Sequence, residues 1–244
     1  MNTEIQRGFT VIEVVLFLGI SSILFVALMV GVGTNIAQQR YREGVYNFSA
    51  FLQDQYVEVD NTRNGREDTT TCVGGNFSEN PSTSISRGTS ECVLLGKAIE
   101  MGSSGTIMHT YSVIGTEPAN IAPGDGELDI IKKYLPKTSN FAQEEKELDW
   151  QVVVTNNPEF SMLILRSPAN GLLRIFTSSN ALPSDLRTMV TPSLASSPSI
   201  NTAGILRLCV DGDRGALPTF SVNIDSRIAS QDGVTVNEAD SACA

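Results

Sequence analysis

The sequence predicts an α+β protein, in which a long N-terminal helix precedes a head built on antiparallel β-sheet. Three observations carry that prediction. Residues 9–33 form an apolar run that contains one charged side chain, Glu13. Residues 34–60 carry on with apolar side chains at helical spacing. Beyond residue 91 come short runs rich in β-branched and aromatic residues, several of them separated by turn dipeptides.

Composition bounds the function. The chain has 244 residues, of which 41% are hydrophobic and 18% charged, enough to build a core and too apolar for a disordered chain. Its formal net charge is −10, and residues 1–33 contribute only Glu4, Arg7 and Glu13 to it. An acidic remainder lacks the broad basic face of a general nucleic-acid binder, so no such partner is expected. No glycine-rich phosphate loop is present, and no cofactor is expected.

The first element is the apolar run. As a helix, residues 9–33 extend about 37 Å at about 1.5 Å per residue, enough to cross a hydrocarbon layer of about 30 Å. A cleaved secretory signal would have a shorter apolar core and a small-x-small site beyond it. The one candidate, Gly31-Val32-Gly33, follows a run that is too long. The reading is therefore a single transmembrane helix over 9–33. Arg7 precedes it while Arg40 and Arg42 follow, so the positive-inside count assigns no orientation. Glu13 is the anomaly, because an acid at a helix centre costs about 2.5 to 3.5 kcal/mol on insertion scales, and less towards the ends.

Arg7-Gly8-Phe9-Thr10-Val11-Ile12-Glu13 resembles the class III signal of type IV pilins and type II secretion pseudopilins. In that family a short polar leader ends in Gly, a membrane peptidase cuts after it, and the new terminal residue, usually Phe, is N-methylated. A Glu stands fifth in the mature chain. The resemblance implies a leader over 1–8, cleavage between Gly8 and Phe9, methylation of Phe9, and Glu13 as the fifth mature residue. It also implies that Glu13 receives the cationic N-terminus of a neighbouring subunit during assembly, which makes a carboxylate in lipid tolerable. Unlike many major pilins, the apolar run has no proline.

The helix is expected to continue. Ala37, Tyr41, Val45, Phe48 and Leu52 recur at spacings of 4, 4, 3 and 4, and Val59 follows one heptad later, giving one apolar face over 34–60. Asn61-Thr62-Arg63-Asn64-Gly65 ends the helix near Asp60. The head then occupies 61–244. Residues 61–91 read as an exposed polar loop. Strands are expected over 92–101, 106–115, 149–155, 160–167, 172–178, 204–211 and 219–225, with a short helix over 127–135 and a surface loop over 192–199. Asn156-Asn157-Pro158 and Ala169-Asn170-Gly171 favour antiparallel hairpins. The closing order of strand, "DGDRG" turn and last strand is similar to the GspH/FimT-type minor pilins and pseudopilins, so a pilin-like head is implied.

Candidate chemistry in the head is sparse. His109, the only histidine, lies in a strand-like run and reads as a partly buried structural residue. Asp125, Glu127 and Asp129, and separately Asp211 and Asp213, offer oxygen ligands, but neither group matches the EF-hand pattern; turn acids are the default and no metal is assigned. Asn47-Phe48-Ser49 and Asn76-Phe77-Ser78 match the glycosylation sequon, which matters only in a host that glycosylates. Cys72, Cys92, Cys209 and Cys243 form no CxxC or Cys/His cluster, and in an exported head they read as two disulfides. Of the three possible connectivities, local order favours Cys72–Cys92 with Cys209–Cys243.

Two function classes follow. The resemblance implies a non-enzymatic structural subunit, a minor pilin or pseudopilin in the inner membrane with its head outside the cytoplasm. Its partners would be the prepilin peptidase, other pilin or pseudopilin subunits, the inner-membrane assembly machinery and membrane lipid. The alternative is a membrane-tethered extracytoplasmic binding protein or enzyme that uses 9–33 only as an anchor. The Gly8-Phe9 junction with Glu13 separates the two, since a tether needs neither.

Overall fold

The first element in chain order is α1, a helix from Val11 to Asp60 that ends where the Asn61 turn signal places its end. The computed structural model describes residues 10–61, 70–73, 76–79, 92–191, 204–212 and 218–243. Gly8 and Phe9, the 192–199 segment and Asp213 lie outside these residues. The chain divides into two compact units, Met1–Arg42 and Glu43–Ala244.

In the first unit, residues 11–33 of α1 expose apolar side chains all round: Val11, Phe17, Ile23, Leu28 and Val30 are all well exposed. Such a helix has no polar face to offer water and is suited to lipid. It is long and apolar enough to cross a membrane. The Ser22 hydroxyl donates to the Leu18 carbonyl at 2.7 Å, so this polar atom is satisfied within the helix itself.

The second unit contains the rest of α1 and the strands. These are β1 (Thr70–Val73), β2 (Asn76–Glu79), β3 (Cys92–Met101), β4 (Ile107–Thr116), β5 (Lys137–Glu147), β6 (Val152–Val154), β7 (Ser161–Arg166), β8 (Leu173–Ser178), β9 (Ile205–Gly212), β10 (Phe220–Asp225) and β11 (Val234–Glu238), with helix α2 (Glu127–Lys133) between β4 and β5. They form a hairpin β1-β2, a five-stranded sheet in the order β5-β4-β3-β7-β8, and a four-stranded sheet in the order β11-β10-β9-β6. Each pairing in these sheets is antiparallel. The fold is therefore α+β, with the helix packed on antiparallel sheet.

Side-chain alternation explains the layers. On the five-stranded sheet, Lys97, Ile99, Met162 and Ile164 share one face by register. Lys97 on that face donates to Gln55 of α1 at 2.9 Å and pairs with Glu58, while Tyr56 reaches Met162. The opposite face carries Ala98, Leu163, Leu165 and Phe176, which pack with Ile131 and Tyr134 at α2 and with Leu186, Met189 and Val190. Leu95 joins this second face because the β3–β4 register shifts between Leu94 and Gly96, and the extra residue changes the parity. In the four-stranded sheet, Leu206, Leu208 and Val210 of β9 stand opposite Ile224, Val222 and Phe220 of β10, all of them buried.

Helix residues Val45, Phe48, Leu52 and Val59 of the expected stripe are buried, and Tyr56, which the spacing did not single out, is buried with them. Full burial of each large apolar side chain contributes about 1.5–3 kcal/mol of transfer free energy. Polar ties reach both sheets. Gln53 donates to the Val234 carbonyl of β11 at 3.0 Å, Tyr46 to Glu238 at 3.2 Å, and Asn47 to Asp149 just ahead of β6 at 3.2 Å. Gly44 permits the close approach at this last point, since a Cβ there would lie 2.7 Å from both the Asp149 carbonyl and Val152 Cγ2. The sheets also meet at the β3–β4 turn, where Val154 N–H of β6 donates to the Gly105 carbonyl at 2.9 Å, while Leu148 N–H, donating to the Thr106 carbonyl at 2.8 Å, extends the β4–β5 ladder. Gly105 has φ +68°, which favours glycine, and a Cβ would overlap the Val154 carbonyl.

Four expectations change. Part of the 61–91 loop is strand, the short hairpin β1-β2. The strand expected over 149–155 narrows to 152–154, because Asp149–Gln151 form a 3-10 turn in which Trp150 and Gln151 have φ 59° and 60°. The run from Lys137 to Glu147 is a strand although its pattern is polar; among the described residues it is a sheet edge that pairs with β4, and so needs no apolar alternation. The 219–225 run is not the last strand, since β11 follows and pairs with it.

Candidate functional site

The start of α1 is where the candidate residues of the sequence concentrate. Thr10 stands immediately before the helix, and Val14 N–H donates to the Thr10 carbonyl at 3.2 Å to open the helical ladder. Glu13 lies three residues after Thr10. Its Oε2 accepts the Thr10 N–H at 2.8 Å and the Thr10 hydroxyl at 3.0 Å, while Glu13 N–H points at the same hydroxyl oxygen at 3.4 Å. This is a capping box, in which the N-cap residue and the acid three positions on satisfy each other's donors. The T-x-x-E spacing ahead of an apolar run is its sequence signature, and the reading of Glu13 as a partner for a foreign cation passed over it. Gly8 and Phe9 lie outside the described residues, so the junction itself has no geometry here.

The acidic turn before α2 resolves into ion pairs. Asp125 pairs with Lys133 and accepts the Ala122 N–H at 2.6 Å, and both hydrogen bonds hold its carboxyl below the usual carboxylate range. Glu127 takes Arg174 of β8 with both oxygens, at 2.9 and 2.7 Å, and the guanidinium likewise holds its carboxyl low. Two of the three candidate cation ligands are thus spent on the chain's own cations. Among the described residues no three acidic, histidine or cysteine side chains converge to hold a metal. Asp211 is exposed near the end of β9.

His109 sits in β4 between Glu100 of β3 and Glu145 of β5, directly opposite both. Its Nδ1 lies 3.7 Å from Glu145 Oε2, and its ring is tilted against Tyr111 at 6.4 Å. The ring is partly buried, as expected of a structural histidine. Burial and the nearby Glu100 charge push the Tyr111 hydroxyl pKa up, so this tyrosine stays neutral at physiological pH.

Cys209 and Cys243 form a disulfide, with Cα atoms 5.4 Å apart. Asp240 reinforces this end of the chain by accepting Ser221 Oγ at 2.6 Å and Ala242 N–H at 3.0 Å. Those bonds, the serine first, hold the Asp240 carboxyl below its ordinary range. Cys92 is also disulfide-bonded. The Cys72 side chain lies outside the described residues, and the expected Cys72–Cys92 pairing falls outside them with it.

Comparison with family models, with curated proteins and with solved structures finds no match. The functional reading therefore rests on the chain's own residues.

Proposed function

We propose that this chain is a non-enzymatic structural subunit of the prepilin kind, a minor pilin or pseudopilin. In this reading it enters the cytoplasmic membrane, is cleaved after Gly8, is N-methylated on Phe9 and joins a type IV pilus or secretion pseudopilus through Glu13. The observation that carries the proposal is the Gly8-Phe9 junction four residues before the one acid of the apolar run. That run then continues without a break into a helix packed on a β-rich head. Cleavage would create an α-amino group with an ordinary pKa of about 7.7–8.0, mostly cationic at neutral pH. A carboxylate and a cation in low dielectric make each other's burial tolerable.

One observation favours the tether reading. The capping box gives Glu13 a local use that any membrane helix could exploit. A tether has no use for the Gly8-Phe9 junction, however, and processing therefore separates the readings. Intact-mass analysis of the chain from its native host should find a mature protein that begins at methylated Phe9, and Gly8→Leu should leave the leader attached. A mature chain that begins at Thr34, or an uncleaved one, would overturn the proposal.

A further inference from the structure

Beside the last turns of α1 lies a groove with walls from three elements. The helix supplies Val57 and Asp60, the β7–β8 turn supplies Leu172 and Leu173, and the β10–β11 loop supplies Ala229 and Asp232. Its volume is about 440 Å³, within the range of sites that hold a small ligand or a large side chain. Val57 and Leu172 are 37% and 55% exposed, so apolar side chains stand in water on two of the walls. The turn that carries Leu172 is tied down. Ser167 N–H donates to the Leu172 carbonyl at 2.8 Å, and Leu172 N–H donates to Asn170 Oδ1 at 3.0 Å. The exposed leucine therefore belongs to a preformed wall.

The rim of the groove is acidic. Asp60 and Asp232 are both exposed, and they stand on two different walls. The last turn of α1 has no basic residue, so the negative end of the helix adds to their charge. The charges close by are already matched. Glu58 pairs with Lys97, and Arg174 in the groove wall gives its guanidinium to Glu127 through two bonds. Arg166 donates to the Asp60 carbonyl at 3.0 Å and offsets part of the helix-end charge. What is left over is negative. Such a rim repels phosphate groups, whether of lipid or of nucleic acid, and attracts a cation. The apolar walls gain by being covered.

We propose that this groove docks a segment of another protein that presents an apolar side chain beside a lysine or arginine. The apolar side chain covers Val57 and Leu172, and the cation meets Asp60 and Asp232. The proposal does not depend on processing of the N-terminus, and it applies equally to a prepilin-like subunit and to a tethered protein.

The test uses the full chain in detergent micelles, labelled at alanine, leucine and valine methyl groups and followed by NMR. Two short peptides are titrated, acetyl-Leu-Arg-amide and acetyl-Leu-Glu-amide. The arginine peptide should move the Val57, Leu172 and Ala229 methyl signals and leave that of the buried Ala98 in place. The glutamate peptide should bind about fivefold more weakly, the scale of one exposed charge pair. Added salt should narrow that preference, and Asp60→Asn/Asp232→Asn should remove it. Leu172→Lys changes an exposed position, so the Ala98 signal should stay while binding is lost. Failure of both peptides to move the groove signals would overturn the proposal. Equal binding of the two would do so as well, because the acids would then select nothing. Groove signals that move when the protein alone is concentrated would name a second copy as the occupant, and that too would overturn it.

Discussion

Glu13 is one side chain with two sets of partners in prospect, its own Thr10 and a neighbour's N-terminus, and substitution separates them. Glu13→Ala removes an expensive charge from the apolar helix, so membrane insertion should be as good as wild type or better. Cleavage should also proceed, because the resemblance places the peptidase signal chiefly on Gly8. Assembly should weaken, since a neighbour's ammonium would be buried without a partner, a loss of about 3–5 kcal/mol for a broken buried pair. Glu13→Gln keeps an acceptor for Thr10 but cannot neutralise a cation, so it should behave more like Ala than like wild type. Fractionation of membranes and sheared filaments checks this, and wild-type levels of Glu13→Ala in the filament fraction would leave the acid with no assembly role. At this scale the sequence marks the residue but not its local bonds. The oddity of an acid among apolar side chains singles out Glu13. Its bonds to Thr10 follow from a three-residue spacing that reads as ordinary composition unless the helix start is already known.

Among the elements, strands that bury side chains on both sheet faces were the legible ones. β3, β7, β8, β9 and β10 are dense in apolar and β-branched residues, and their observed spans differ from the expected ones by a residue or two at most. The elements that were missed lie at edges. β5 carries Glu144, Glu145, Lys146 and Glu147 in its second half, and charges of this kind on an edge discourage pairing with other chains. β11, at the opposite edge of the other sheet, buries only Val234 fully and reads as tail. Its pairing with β10 and the Asp240 bonds are joined by a disulfide to Cys209, 34 residues before Cys243. In the chain-entropy account a loop of that size is worth about 3–4 kcal/mol. The double variant Cys209→Ser/Cys243→Ser should therefore melt about 6–16 °C lower, at about 2–4 °C per kcal/mol for a unit of this size. Thermal unfolding followed by circular dichroism checks it, and a change within about 2 °C would mean that the Asp240 bonds hold the tail without the covalent link.

For the molecule as a whole, the class was legible because a 3.6-residue periodicity ends at the Asn61 loop signal and short runs rich in β-branched and aromatic residues follow beyond residue 91. The division of the strands into two sheets was not. It depends on which strands pair, and the bond from Val154 to Gly105 joins residues whose types carry no pairing signal. The net charge of −10 leads to a prediction at this scale. Glu127, Asp225 and Asp240 all sit below their ordinary range, held there chiefly by Arg174, Arg227 and Ser221 respectively. Because folding depresses these values, the unfolded chain binds more protons as the pH drops. Their stabilisation is complete above the unfolded value of about 4 and is lost as pH falls through the folded values. Denaturant midpoints should accordingly be level between about pH 7 and 5 and drop below about pH 4, with a shallower drop in Glu127→Gln. A midpoint that stays constant down to about pH 3 would show that these pairs contribute nothing.

The ties between the outer half of α1 and the sheets also have a mechanical meaning. Tyr46, Asn47, Gln53, Gln55 and Glu58 grip β11, the turn before β6, and β3 at points spread along the helix. Arg166 of β7 adds a further hold by donating to the Asp60 carbonyl at 3.0 Å. A pull along the helix axis loads all of these bonds at once, in shear, together with the buried stripe from Val45 to Val59. Bonds strained in parallel share the force and must fail nearly together, whereas bonds opened one after another fail singly. Peeling the head away tie by tie would therefore take less force than drawing it off along the helix.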